Sequence, residues 1–308
     1  MYMQYLHENW KEAPMEPSIS KCAALAKVAD AGSFTRAARE LGYAQSTVSR
    51  MVADLEREWG VRLVERRRTG VTLTQDGERL LPYVRMLVSR SDDLESRITS
   101  LKGSVEGTLR IGAISSVATH ILPNAIAAFQ KKHPNVAFEL LLGDYTEIEG
   151  WLKSGRVDCG VVRHPYGEAF DAIPLVQDEL LAVLPKGHPL TSKKSVTAKD
   201  IAKYPFLSLS ENDDVEDANI FEKAGVAPNT IVSTWDDYSI LAMVEAGLGM
   251  SILPSLILTR IPYEVELRPL RPKATRKLAL AMRGSGYAPL TAQRFMAEFE
   301  TCRQPEKK

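Results

Sequence analysis

Apolar positions in the first part of the chain recur at helical intervals. Ile19, Cys22, Leu25, Val28 and Ala29 fall on one face of a helix. Gly32 ends that pattern and Ser33 is a good N-cap for the next helix, whose stripe is Phe34, Ala37, Ala38 and Leu41. Gly42 allows a sharp turn. A third helix then turns Val48, Met51, Val52, Leu55 and Trp59 inward, while Gln45, Ser46, Ser49 and Arg50, with Ala53, fall on the outer face. After Gly60, VRLVERRRTGVTLT reads as two short strands around Arg66–Gly70, a small wing. Residues 1–17 have no period, end in Pro14 and Pro17, and read as a flexible tail.

From residue 74 the period narrows. Leu80, Val84, Leu87, Ser91, Leu94, Ile98 and Leu101 step alternately by four and three, a heptad seam along one long helix. Such a stripe fits another helix. Pro82 is expected to bend its early part, and Gly103 and Gly107 to end it. Beyond Thr108 short apolar strands alternate with amphipathic helices: TLRIGAI, LPNAIAAFQKKHP, VAFELLL, TEIEGWLKSG and VDCGVVR. This alternation predicts a parallel sheet. A second set follows: LLAVLP, FLSLS, TIVSTW, the helix DYSILAMVEAG, MSILP, VELRPL and KLALAM. There is material here for two small α/β lobes.

The outer face of the third helix changes the picture from packing to function. A helix packed on all sides has no use for short polar residues and an arginine there. Helix, tight turn and helix form a helix-turn-helix, whose second helix enters the DNA major groove. Gln bonds adenine edges and Arg bonds guanine edges in two places each. Gln45, Ser46, Ser49 and Arg50, with Thr47 on the same turn, are therefore the candidates for base edges and nearby backbone. Ser33, Thr35, Arg36, Arg66, Arg67, Arg68 and Thr72 are the candidates for phosphates. Overall charge adds nothing, since 39 Lys and Arg balance 39 Asp and Glu. Locally, ten bases face seven acids between Glu16 and Gly70, and three of the bases are consecutive.

The segments SFTRAA, the Q-x-x-x-S-R of Gln45–Arg50, the G-V-x-L-x-x-R of Gly60–Arg66 and the LTxxG of Leu73–Gly77 together resemble the LysR-type transcriptional regulators. Two positions depart from that pattern: Ala44 stands where a capping Ser or Thr is common, and Ser46 where Pro is common. The resemblance implies an α+β multidomain chain. It has an N-terminal winged helix-turn-helix (18–73), a linker helix that pairs with a second subunit (74–105), and a two-lobed, periplasmic-binding-protein-like effector domain (106–303). Lobe I would hold 106–178 and 269–303, and lobe II 179–268, with crossings near Asp178 and Leu267–Arg268. Double-stranded DNA, a small-molecule effector, a second copy of the chain in a homodimer or a homotetramer, and RNA polymerase are the implied partners, in the cytoplasm, with no cofactor.

Ligands of open α/β sheets sit beyond the carboxyl ends of strands, at helix N-termini. That places Ser115 and Ser116, Tyr145 and Thr146, and Arg163 at candidate effector positions in one lobe. Ser208, Leu209 and Ser210, with Trp235 and Asp236, are their counterparts in the other. Arg163 points to a carboxylate, whereas Asp144, Asp236 and Asp237 could neutralise it. An enzyme with an incidental helical N-terminus is the rival reading, but no G-x-S-x-G, G-x-x-x-x-G-K-[ST] or H-E-x-x-H occurs, and five scattered His lack metal spacing. A cysteine redox sensor is a second alternative. Cys22 and Cys159 fall in apolar patterns expected to bury them, and Cys302 is near the end.

Overall fold

In the computed structural model, residues 18–67, 70–101, 105–209, 218–284 and 288–303 are described. The main division of the chain falls between residues 102 and 103. The expected tail, residues 1–17, lies outside the described residues.

The first unit opens with α1 (Ile19–Ala31), α2 (Phe34–Leu41) and α3 (Gln45–Trp59). Ser33 caps α2 by accepting from Arg36 N–H at 3.4 Å. Gly42 closes α2 at φ 70°, a left-handed conformation that would strain most side chains, and so lets α3 start within three residues. Cys22, Leu25, Val28, Phe34, Val48, Val52 and Leu55 bury together, each aliphatic side chain contributing about 1.5–3 kcal/mol. Ile19, predicted on the same face, is instead exposed at the helix start.

The wing pairs β1 (Val64–Arg67) with β2 (Gly70–Leu73) antiparallel, Arg67 opposite Gly70. Glu56 of α3 holds its base, accepting from Leu63 N–H at 2.8 Å and Val64 N–H at 3.1 Å. Next comes α4 (Gln75–Leu101), 27 residues long, running on through Pro82. Its N-terminus is capped by Thr74, whose Oγ1 accepts from Gly77 N–H at 3.0 Å. A Cβ on Gly77 would lie 2.1 Å from the Leu63 carbonyl oxygen, so only glycine fits that approach. The heptad stripe divides. Val84 is buried and Leu80 packs partly in the helical core, whereas Leu87, Leu94 and Ile98 are 40%, 60% and 48% exposed.

The second unit starts with β3 (Gly107–Ala113), α5 (Ser115–His120), α6 (Leu122–Lys132), β4 (Val136–Leu142), α7 (Tyr145–Ser154) and β5 (Cys159–Arg163). Then come β6 (Phe170–Pro185), α8 (Ala198–Ile201), β7 (Pro205–Leu209), α9 (Ala218–Ala224), β8 (Asn229–Thr234), α10 (Asp237–Glu245), β9 (Ser251–Pro254), β10 (Val265–Arg283) and α11 (Leu290–Arg303). The main sheet has the order β4-β3-β5-β10-β6-β9. The three strands whose alternation predicted a parallel sheet, β3, β4 and β5, are parallel, and the strands of the second set add antiparallel neighbours. β10 is antiparallel to β5 and β6, and β6 to β9. The chain returns through two strands of 16 and 19 residues, each longer than any apolar run in the sequence.

These two strands bind the lobes together. Residues Phe170 and Leu175 of β6 and Leu278–Met282 of β10 pack in one core with β3, β5 and α11. Leu180, Ala182 and Leu184, with Leu270 and Ala274, pack in another with α8 and α9. The change of lobe in β10 thus follows Ala274, later than the Leu267–Arg268 crossing expected from sequence. Asp178 and Arg276, at the change of lobe, are register partners.

Candidate DNA-binding face and effector cavity

Gln45, Ser46 and Thr47 stand exposed on the first turn of α3, and Arg50 is exposed one turn later. Ala44, the N-cap residue, provides no side-chain bond, and no acid lies in that turn. The N–H groups and the positive end of the helix dipole therefore face outward unscreened. Ser49 is half-buried because Arg66 of the wing donates to its Oγ at 2.7 Å. The Arg66 guanidinium also lies over the Phe34 ring, 4.7 Å from its centroid. Arg66, predicted as a wing phosphate contact, is thus tied to α2 and α3. Arg67 is exposed and pairs with Glu65 at 2.9 Å. Thr35, Arg36 and Thr72 are exposed, with the Arg36 guanidinium donating to the Ala31 carbonyl, and Ser33 is used as the cap. Arg68 lies outside the described residues.

In the second unit the buried charge is one the sequence reading passed over. Arg276 is 8% exposed. Its Nε and Nη2 donate to Asp178 Oδ2 at 3.0 and 2.8 Å, Nη1 to the Tyr145 hydroxyl at 3.1 Å, and Nη2 to Ser116 Oγ at 2.9 Å. Asp178 Oδ1 accepts from Ser255 Oγ at 2.7 Å and Leu256 N–H at 3.0 Å. Arg163 stacks on the Tyr145 ring at 4.9 Å. Ser116 and Tyr145 thus bond Arg276, and Arg163 lies against the Tyr145 ring.

Ser115 and Asp236 of the predicted effector set make bonds within the fold. Ser115 donates to the buried Asp237 carboxylate. Asp236 caps α10, accepting from Tyr238 and Ser239 N–H at 3.3 and 3.2 Å. Leu209 packs against a lobe II core, Ser208 is buried, Thr146 is exposed and Trp235 is 76% exposed. Ser210 lies outside the described residues.

A cavity of about 840 Å³ opens between Arg163–Pro165, the start of α8, α9 and the turn of β10. Arg163, Lys199, Lys223, Arg271, Lys273, Arg276 and Lys277 line it, with no Asp or Glu among its described lining residues. Of the predicted effector set, only Arg163 is among them. Asp178 offsets Arg276, and Glu179 pairs with Lys273 at 2.8 Å. The sequence did carry a signal here, four bases in the seven residues RPKATRK from Arg271 to Lys277. The thiols describe another environment. Burial raises the pKa of Cys22, and burial followed by the neighbouring Asp158 carboxylate raises that of Cys159 well above the ordinary thiol value. Both stay protonated and weakly nucleophilic near neutrality.

A helix-turn-helix followed by a two-lobed α/β unit narrows the comparison. The sequence model described as the bacterial regulatory helix-turn-helix protein, lysR family, matches residues 19–78, and that of the LysR substrate binding domain matches residues 102–303. The chain belongs to the LysR family. It is a transcriptional regulator with a DNA-binding helix-turn-helix and an effector-binding domain. The uncharacterized HTH-type transcriptional regulator YvbU of Bacillus subtilis is 29% identical over 282 residues, 91% of this chain and 96% of that protein. LrrA of Synechococcus elongatus, named a probable HTH-type transcriptional regulator, is 33% identical over 252 residues, covering 80% and 84%. A full-length OxyR cysteine variant from Pseudomonas aeruginosa shares the fold at TM-score 0.73 and 23% identity, over 92% of this chain and 94% of that one. No helix among the described residues of this LysR-family chain is long and apolar enough to cross a membrane.

Proposed function

We propose that this regulator reads a partly palindromic promoter site with Gln45, Ser46, Thr47 and Arg50 of α3. An anionic metabolite bound in the cationic cavity shifts its action. Seven Lys and Arg side chains around one cavity, with no acid in the described lining, carry the second half of this reading. Concentrated positive charge raises the free energy of the empty site, and a carboxylate or phosphate offsets it. The domain limits 18–73, 74–105 and 106–303 go with this reading. So does the pairing of α4 through Leu87, Leu94 and Ile98 with a second copy, into dimers and dimers of dimers, in the cytoplasm and in contact with RNA polymerase.

The test is a thermal-shift and titration screen of the full chain against mono-, di- and tricarboxylates, sugar phosphates and their neutral amides or alcohols. Anions alone should raise the melting temperature, and Arg271→Gln with Lys277→Gln should weaken them at least tenfold. Equal stabilisation by neutral analogues would rule the anion reading out. For the DNA face, Arg50→Ala should lower discrimination between sites, and Arg67→Ala should weaken all sites while reducing the salt slope by about one. Unchanged discrimination in the first, or an unchanged slope in the second, removes that residue's role.

A further inference from the structure

Side chains alternate along β1, so Arg66 leaves the wing on the side opposite to Glu65 and Arg67. Glu65 and Arg67 are exposed and pair with each other at 2.9 Å. Arg66 turns to the helices instead. Its guanidinium lies 4.7 Å from the centroid of the buried Phe34 ring, and Nη2 donates to Ser49 Oγ at 2.7 Å. It makes no ion pair among the described residues.

The same rung of the wing is held from its other strand. Val71, the register partner of Arg66, donates its N–H to the Gly32 carbonyl at 2.9 Å. A Cβ on Gly70 would lie 2.7 Å from that carbonyl oxygen, so the approach needs glycine there. With Glu56 accepting from Leu63 and Val64 N–H, the wing is fixed both to α3 and to the turn between α1 and α2.

Ser49 lies four residues after Gln45, on the same stripe of α3. Its hydroxyl has one proton and two lone pairs, and the guanidinium takes one lone pair. The cation draws electron density from the oxygen, turns the O–H away from itself and makes it a stronger donor. Among the described residues that O–H has no acceptor.

We propose that Arg66 is a positioning residue for sequence readout, and that it makes Ser49 a specificity-determining donor to one base acceptor in the major groove. Guanine N7 and O6 and thymine O4 are the acceptors of that class. The proposal rests on α3 entering the groove. A phosphate contact by Arg66 would instead add affinity without regard to sequence.

The experiment selects duplexes from a randomised pool with the full chain. Single-base-pair variants of the selected duplex are then measured by fluorescence anisotropy at several salt concentrations. Arg66→Met should lower the preference at one base-pair position of each half-site at least fivefold, leaving the other positions and the salt slope unchanged. Loss of a phosphate contact would lower the slope by about one. Ser49→Ala should lose the preference at the same position, and the double variant should lose no more than either alone. Ser49→Ala leaves the wing untouched, so it carries the test by itself if Arg66→Met fails to fold by circular dichroism. Selection of no sequence by the parent chain removes the groove reading and this proposal with it. A selected sequence with an unchanged preference in Ser49→Ala, a uniform loss across positions or a lowered salt slope in Arg66→Met, or additive effects each overturns this proposal alone.

Discussion

Replacing Arg276 by Met removes the cation that holds the two long strands in register at the change of lobe. The perturbation leaves Asp178 behind, 2% exposed, with Ser255 and Leu256 still bonded to Oδ1 but without the guanidinium on Oδ2. Breaking a buried pair by deleting one partner costs about 3–5 kcal/mol, mainly because the remaining charge is stranded. Tyr145 OH and Ser116 Oγ also lose this donor. For a domain of this size each kcal/mol moves the midpoint by about 2–4 °C, so the effector-domain transition should fall by about 6–20 °C. The assay is differential scanning calorimetry of the full chain, where two units are expected to give separate transitions, assigned by comparison with the unmodified protein. The control is the double variant Arg276→Met with Asp178→Leu. With no charge stranded it should be more stable than Arg276→Met alone, with an interaction free energy of about 2 kcal/mol or more. If Arg276→Met lowers the midpoint by less than about 2 °C, or the two changes are additive, the pair is not what ties the lobes.

Gly77→Ala should destabilise the winged unit by about 1–3 kcal/mol, since its Cβ would meet the Leu63 carbonyl oxygen at 2.1 Å; calorimetry should show the first-unit transition falling and the effector-domain transition unmoved. The Asp200 carboxyl is held down to about 2, first by Lys193, at 2.6 Å, and then by the Thr197 cap. A depressed folded-state pKa gives stability that is present above the unfolded value of 3.8 and lost as pH falls towards 2. Asp200→Asn should therefore lower the midpoint at pH 6 and flatten its fall between pH 4 and 2, as read by melting across that range. Cys22 and Cys159 should resist a disulfide-exchange reagent in the native protein and react only after unfolding, and prompt reaction of either would show that its burial is not maintained.

Local rules made the N-terminal unit legible. The stripe Val48, Val52 and Leu55 faces the core, Gly42 ends α2 and Ser33 caps it, because helix period and capping act within a few residues. The long-range partners were not legible. Ser116, Tyr145 and Arg163 could be placed at strand ends, yet Arg276, which bonds Ser116 and Tyr145, sits in a segment that reads as the gap between two apolar strands. Strand alternation pointed to the parallel order of β3, β4 and β5 but not to the antiparallel β6 and β10, because pattern shows which residues are buried and not which neighbour lies alongside.

By itself, then, the sequence determined the local elements, the polar outer face of α3 and the family, since each rests on neighbours within one turn or one motif. Only the tertiary structure decided that β6 and β10 run antiparallel through both lobes, that Arg66 leans on Phe34 and Ser49, and that bases from Arg163 to Lys277 converge on one cavity. The physical reason is that charge pairs and cavity walls are made by residues about a hundred positions apart in the chain, such as Asp178 and Arg276, and pairing over that distance is settled by how the lobes pack rather than by any local period.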